Sequence, residues 1–574
     1  MNSRLALALF GLFFLSIPHS LYAAAPDPSG TDTQGALYQA NSGLGGWASG
    51  STDSKGNWSA YKDPEKPSGK EIAANLAHAF FSINFVWTLI CGFLVMFMQT
   101  GFALVETGLV RAKNAVHTMG MNILVYGLGM AGFFATGYAL MCGGSNGTAI
   151  GGPGNLGGVP VLSKMATLHW GQTAWGLFGH SGFFLAGKNY DASAVLWFLF
   201  MMVFMDTAAT IPTGALAERW KFKSFCLMSV FIGAIIYPIF GCWMWGGGWL
   251  AQIGTALGLG HGAVDFAGSS VVHLQGGMLA LVLAKMLGPR EGKYDKQGKP
   301  VAIPGHNIPM VVIGTLILAF GWFGFNAGST LGGTDSRIGV IAANTMLASG
   351  FGALSALFYH WSRHRTPNIV MVCNGMLAGL VAITAPCAFV APWAAAVVGA
   401  IAGVIVVAAS YWIENLGIDD PVGAIAVHGV NGIWGMIALG LFADGTYGAG
   451  WNGVGGTAYL GVAGKGVAGL FYGDSAQLAA QTIACFACCA WNVAAGYLLF
   501  KLTGFLVNGN RVTAEQERIG LDIAEIGLPA YEAIGKAESE SDDDWAIPAA
   551  AREIPSSLRV QAALMEELGM GSAH

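Results

Sequence analysis

Asp265-Phe-Ala-Gly-Ser-Ser-Val-Val-His273-Leu-Gln-Gly-Gly-Met-Leu-Ala-Leu-Val-Leu-Ala284 opens on one carboxylate and carries one histidine a little over two helical turns further on. From Leu274 to Ala284 every residue except Gln275 is apolar or glycine. An imidazole at membrane depth is costly and marks a pathway by default. A second one, His428, stands in Ala426-Val-His-Gly-Val-Asn-Gly432. The two histidines are expected to meet inside one pore, and that expectation decides the fold.

Composition supports a membrane setting. Of 574 residues, 54% are hydrophobic and 10% charged, where a soluble chain has roughly a quarter charged. Repeated apolar runs near bilayer length make this an all-α polytopic membrane protein. The 85 glycines suit close helix approach in a membrane bundle. The net charge of -5 is spread over loops and an acidic tail, and no basic tract suggests nucleic acid. Nine cysteines lie mostly in apolar runs and read as small buried hydrophobes, without a disulfide framework or metal spacing. No nucleophile–base set appears, so neither an enzyme nor a cofactor or metal site is expected.

Residues 1–25 have the form of a secretory signal, with Arg4, an apolar core from Leu5 to Ile17, and small residues at Ala23 to Ala25. Residues 26–79 are polar and read as an exposed periplasmic segment. Residues 80–503 form the membrane domain and 504–574 a cytoplasmic tail. Eleven spans are expected, at 80–105, 117–142, 194–217, 222–245, 268–287, 306–326, 337–360, 367–388, 393–414, 423–443 and 477–503. With the mature amino end outside, the inside loops hold twelve basic residues, among them Arg111, Lys113, Arg219, Arg290, Arg363 and Arg365. The outside loops hold four: Lys164, Lys188, Arg337 and Lys465. This agrees with the positive-inside rule. Loop 415–422, with Asp419, Asp420 and no basic residue, is the exception. Residues 555–569 have the pattern of a short amphipathic helix.

His273 falls in span five and His428 in span ten. Five spans per half is odd, so the second half runs with opposite orientation: a 5+5 inverted repeat plus one span, whose matching residues face each other near the midplane. Either histidine alone would serve as a hydrogen-bond partner for a neighbouring carbonyl; two at matching places argue for a shared path. Asp265, beside Gly268, Ser269 and Ser270, is placed to cap its helix and to favour a cation at the outer mouth. Phe204, Trp245, Trp322, Phe323 and Phe325, with the Ser329 hydroxyl, gather on that side. Such a cup suits a small cation through ring faces and one hydrogen bond.

From about residue 80 to 531 the chain resembles the ammonium transporter (Amt) family of the Amt/Rhesus superfamily. The matching runs are Gly108-Leu-Val-Arg-Ala-Lys-Asn114, Gly214-Ala-Leu-Ala-Glu-Arg219, Asp265 to His273, Trp322-Phe-Gly-Phe-Asn-Ala-Gly-Ser329, Asp419 to His428, and Glu515-Gln-Glu-Arg-Ile-Gly-Leu-Asp522. The resemblance implies a homotrimer with a pore in each subunit, in the inner membrane. It implies Phe204, Trp245 and Ser329 as the outer recruitment site, Phe204 and Phe325 as a gate, and His273, His428 and Trp322 in the pore. Asp265 becomes the acid beneath the mouth. Ammonium or ammonia is the implied cargo, methylammonium a candidate analogue, and a PII-type signal protein a candidate partner on the inside. Two features depart from the pattern. Asp206 stands where family members usually carry a small residue, and structural pairing is expected for it. The interval from Trp245 to Asp265 is longer than in familiar bacterial members.

The implied mechanism strips ammonium of water at the cup, removes its proton, and passes ammonia through the pore while the histidines relay the proton. A bare ion in an apolar path is expensive, and imidazoles both donate and accept. Two alternatives are an ammonium sensor and a channel for neutral ammonia gas. The tail is too short for a kinase-like signalling module, and the aromatic cup suits a cation rather than a gas.

Overall fold

A computed structural model of the chain describes residues 68–144, 164–186, 192–455 and 464–531, with the isolated positions 51, 52, 58, 59, 66 and 162. The signal segment, nearly all of residues 26–67, the acidic stretch and the amphipathic pattern at 555–569 lie outside the described residues.

Among the described residues ten helices are long and apolar enough to cross a membrane. They are α1 (Ala79–Leu109), α2 (Ala112–Cys142), α3 (Ala192–Ala215), α4 (Phe222–Leu257), α5 (Ser269–Leu287), α6 (Ile308–Thr330), α7 (Ile338–His364), α9 (Pro392–Asn415), α10 (Ile425–Phe442) and α11 (Ser475–Leu506). Between them, Ile369–Thr384 forms a shorter apolar helix, α8, where the eighth span was expected. The count of eleven therefore becomes ten full-length helices and one of 16 residues. The membrane domain is all-α and polytopic; the connection between α2 and α3 adds an antiparallel hairpin, Met165–Trp170 against Thr173–Gly179.

Two boundaries differ from expectation. The helix that contains α1 starts at Gly69, inside the segment read as exposed. The helix of α4 breaks at Gly246 to Gly248 and resumes as Trp249–Leu257, which takes up the long interval before Asp265. All nine cysteines are free.

Packing follows the repeat. The first helix of each half packs on the other, α1 on α6, and so do the fifth helices, α5 and α10. Within the halves, α7 packs on α8 and α9 as α2 packs on α3 and α4. Small residues permit these approaches: a Cβ on Gly314 would sit 2.7 Å from the Gly101 carbonyl oxygen. The helix of α11 lies along α5 and α10.

One end of the bundle is rich in aromatic side chains, the other in charges. At the charged end the connections of both halves are tied by a buried cluster. Arg290 donates to both oxygens of Asp419, at 2.8 and 2.9 Å. Its remaining terminal nitrogen lies 3.4 Å from Glu218, which also pairs with Arg111. Arg219 donates to the Asp419 carbonyl at 2.7 Å. The acidic loop that broke the charge rule thus holds the counter-ion of a buried arginine. The tail docks on the same end. Leu521 donates to the Asn114 side chain, Asp522 accepts from the His117 amide at the start of α2 (2.8 Å), and Glu525 accepts from the Phe222 amide at the start of α4 (2.9 Å). Carboxylates at free helix amides satisfy donors with no helical partner.

Burial by itself would raise the Asp419 carboxyl, but the Arg290 hydrogen bonds and the nearby Arg219 charge hold it down to about 2, against an ordinary 3.8. A depressed folded value means stability present above about pH 4 and lost as pH falls from there through 2, on the order of 2 kcal/mol. The thermal midpoint of the purified protein in detergent should therefore drop across that window. Asp419→Asn should lower the midpoint already at pH 7, by an amount corresponding to about 3–5 kcal/mol for a buried arginine left short of its partner. An unchanged midpoint at pH 7 would show that the cluster holds nothing together.

Candidate functional site

The site is built where α5 and α10 begin. Each opens with a widened, π-type turn, Ser269–Leu274 and Ile425–Val430, and each turn carries its histidine. The same four residues recur at one constant offset of 155: Asp265, Gly268, His273, Gly277 and Asp420, Gly423, His428, Gly432. Each aspartate folds back onto the amides that follow it. Asp265 accepts from the amides of Gly268, Ser269, Ser270 and Val271 and from the Ser270 hydroxyl, at 2.7–3.1 Å. Asp420 accepts from Gly423 at 3.0 Å and Ile425 at 2.7 Å. The intervening glycines turn left-handed, Gly268 at φ 113° and Gly423 at φ 81°, a conformation that L side chains resist. The later glycines set the crossing. A Cβ on Gly277 would collide with the Gly429 backbone, and one on Gly432 would sit 2.7 Å from the Ser269 carbonyl oxygen.

This crossing brings His273 Nδ1 to 3.1 Å from His428 Nδ1. The rings are nearly parallel, with centroids 5.2 Å apart. One Nδ1 must then donate and the other accept, so the two rings hold complementary tautomers. His273 Nε2 is buried with no partner among the described residues. Trp322 stacks on His273 at 5.0 Å and 20°, and its own indole N–H is spent on Thr384 Oγ1 at 2.9 Å.

Toward the aromatic end the path meets Phe325 and Phe204, stacked with centroids 4.1 Å apart. Both are fully buried. Above them a pocket is lined by Trp197, Phe200, Phe204, Trp245, Phe266 and Ser329. Trp245 presents an edge to Phe204 at 6.0 Å and donates its N–H to the Asp265 carbonyl at 2.7 Å. Ser329 sits in a tight turn at the end of α6 and donates its hydroxyl to the Phe325 carbonyl at 2.6 Å. Its oxygen lone pairs are left to accept from a bound donor. Ring faces plus one acceptor match a small N–H cation.

The structure brings Phe204, Trp245, Ser329, Phe325, Trp322, His273 and His428 into one line. Asp265 caps the start of α5, as its place beside Gly268, Ser269 and Ser270 leads one to expect. Its carboxylate is wholly engaged with its own helix, and it reaches the cup only by holding Trp245. Asp206 is buried, but no ion pair reaches it among the described residues and its Oδ1 has no partner. The pairing expected there is not found. Sequence reading passed over Phe200, which packs on Phe204 at 4.7 Å, and Thr384. It also passed over the equivalence of Asp420 to Asp265, although an equal spacing to each histidine was there to be read.

The match to known proteins covers the same ground: residues 86–531 fit the family model described as Ammonium Transporter Family. The chain belongs to the ammonium transporter family. Ammonium transporter Amt2 of Archaeoglobus fulgidus is 47% identical over 453 residues, which cover 78% of this chain and 88% of that protein. Ammonium transporter Amt1 of Haloferax mediterranei is 36% identical, covering 79% of this chain and 80% of its own. Among solved structures, one described as a sensor Amt protein is 34% identical, with a TM-score of 0.64, covering 78% of this chain and 99% of its own. Mep2 of Candida albicans is 25% identical, with a TM-score of 0.61, over 76% of this chain and 87% of its own.

The crossing gives a paired test of this ammonium transporter fold. Gly277→Ala should lower the thermal midpoint by the equivalent of about 1–3 kcal/mol through overpacking. Gly429→Ala should be tolerated, because a Cβ there meets Gly277 only at 3.4 Å and beyond. Equal midpoints for the two variants would mean that the approach at Gly277 is not tight.

Proposed function

We propose that this chain moves ammonium across a membrane as a charge-coupled transporter, not as an enzyme. The observation that carries the reading is the 3.1 Å contact between His273 and His428 in a path otherwise walled by aromatic rings. Family membership and relatives named as ammonium transporters support the cargo.

Ammonium enters the cup, where Trp245, Phe204 and the Ser329 oxygen replace part of its water. Cation–π contact is worth about 0.5–2 kcal/mol, far short of holding a bare ion in an apolar bore. The stacked pair of Phe204 and Phe325 therefore admits the neutral molecule, and the proton travels separately. A proton reaching one imidazole can move across the Nδ1–Nδ1 bond while the other ring releases its own from Nε2. Ammonia is protonated again at the charged end, so one charge crosses per ammonium.

The same reading puts the aromatic end outside and the charged end in the cytoplasm of an inner membrane. The positive-inside pattern supports it, with Arg111, Arg219 and Arg290 all at the charged end. Three copies with a pore each, and a PII-type protein binding at the charged end, complete it on family resemblance. The likeness to a sensor Amt protein favours ammonium sensing as the second reading; a sensor would bind ammonium in the cup and carry little flux.

Purified protein in proteoliposomes should give an ammonium-elicited current, and His273→Ala with His428→Ala together should reduce it at least tenfold. Undiminished current in the double variant would sink the histidine relay. Intact ammonium binding with no current in the wild type would favour the sensor.

A further inference from the structure

Beyond His428, toward the charged end, the path continues into a small pocket lined by Phe102, Glu106, Ile211, Asn374, Val422 and His428 among others. Its volume of about 20 Å³ holds about one water or ammonia molecule. Glu106 and His428 are the two titratable residues in its wall. Glu106 is 3% exposed. Its Oε2 accepts from Asn122 at 2.7 Å, and the Thr213 hydroxyl, whose single proton can also go to the Thr210 carbonyl at 2.6 Å, lies 2.8 and 2.9 Å from its two oxygens. No basic residue forms an ion pair with it among the described residues. Gly214 makes room for it: a Cβ there would lie 3.0 Å from Oε1. A carboxyl group at membrane depth that faces a cavity shared with a pore histidine marks a functional site by default.

We propose that Glu106 is the residue that returns the proton to ammonia at the far end of the pore. This rests on the transport reading above. Protonated His428 gives up its proton, through the molecule held in the pocket, to the Glu106 carboxylate. A neutral imidazole and a carboxylic acid result. Ammonia arriving in the pocket then attacks that proton with its lone pair. The acid O–H bond breaks, the fourth N–H bond forms, and ammonium and carboxylate remain. One proton leaves the histidine pair, one is gained by ammonia, and nothing is oxidised or reduced. Asn122 and Thr213 stabilise the carboxylate, so the new ion is not trapped by it. The way out is the adjoining cavity of about 340 Å³, which shares Asn374 and Val422 with the small pocket and is lined by Arg290, Glu414 and Asp420. Asn374 donates to the Val422 carbonyl at 3.2 Å, at the junction of the two.

The test is Glu106→Gln in the full-length protein, a change that keeps size and the acceptor for Asn122 and removes the exchangeable acid proton. Ammonium-elicited current in proteoliposomes should fall at least tenfold, with the thermal midpoint close to wild type, and Glu106→Asp should restore part of it. Infrared difference spectra on adding ammonium should contain a carboxylic acid C=O band in the wild type and in Asp206→Asn, and lack it in Glu106→Gln. Current within twofold of wild type in Glu106→Gln, or an unchanged carboxyl band, would overturn the proposal. Should the wild type itself carry no current, the transport reading falls, and the infrared comparison still decides whether Glu106 exchanges its proton. Should Glu106→Gln not fold, the partial current of Glu106→Asp and the band in wild type and Asp206→Asn decide it.

Discussion

Everything distinctive about this chain depends on how closely α5 and α10 cross. At Gly277 the backbones touch with no side chain between them, and four residues earlier the two imidazoles come within hydrogen-bond distance. Packing in membranes gains little from apolar burial, because lipid is as apolar as the protein interior. Close backbone approach and internal hydrogen bonds have to supply the difference. Here the glycines allow the approach and the histidines supply a bond across it. The crossing is thus both the structural keystone and the polar part of the path.

The charges of the membrane domain are few, and most are committed. Asp265 and Asp420 each saturate the open amides of a helix start, and each acts at a distance: one steadies Trp245, the other shapes the entry of α10. Asp419 neutralises Arg290, which no sheltered site could hold alone. The tail acids Asp522 and Glu525 close the starts of α2 and α4. Against this background Asp206 and Glu106 stand apart, among the described residues, as buried acids that neither pair with a base nor cap a helix. Of the two, Glu106 lines a cavity that it shares with His428. An acid that caps no helix and pairs with no base, yet is held at one orientation by Asn122 and Thr213, is what separates a candidate proton carrier from a cap.

Much of this was legible in the sequence because membrane constraints write plainly. Apolar run lengths gave the helices, and odd spacing of two rare histidines gave the inversion and their meeting. The aromatic cup could be assembled because tryptophan, phenylalanine and serine clustered at span ends. What could not be read depended on which partner each charge finds in three dimensions. Asp419 looked like a lone acid in a loop, because Arg290 is 129 residues away. The break in α4 could be suspected from three glycines, but not the helix that follows. The docking of the tail onto α2 and α4 leaves no periodic signal, since it rests on single side chains capping distant helices. The constant offset of 155 between the two aspartate–glycine–histidine–glycine sets is present in the sequence, but its meaning beyond the histidines lies in the caps and the crossing that only the folded backbone displays.

The repeat explains why the two ends can differ so much in chemistry while the middle stays symmetric. An inverted duplication imposes matching backbones, and the paired π-type turns and left-handed glycines keep that match. Side chains outside the crossing are released from it. At one end they form a cup of rings and a hydroxyl, which on the proposed reading would attract a cation weakly and offer it no carboxylate. That end suits a step in which the ion must not be held. At the other end Glu106, Asp420 and Glu414 line successive cavities, so a molecule leaving the histidines meets acids before solvent. A neutral base and a separate proton are more readily reunited beside a carboxyl group than in an apolar bore. On the transport proposed above, the difference between the ends would give each its own half of the proton cycle, and the symmetric centre would only have to pass the proton between two equivalent rings.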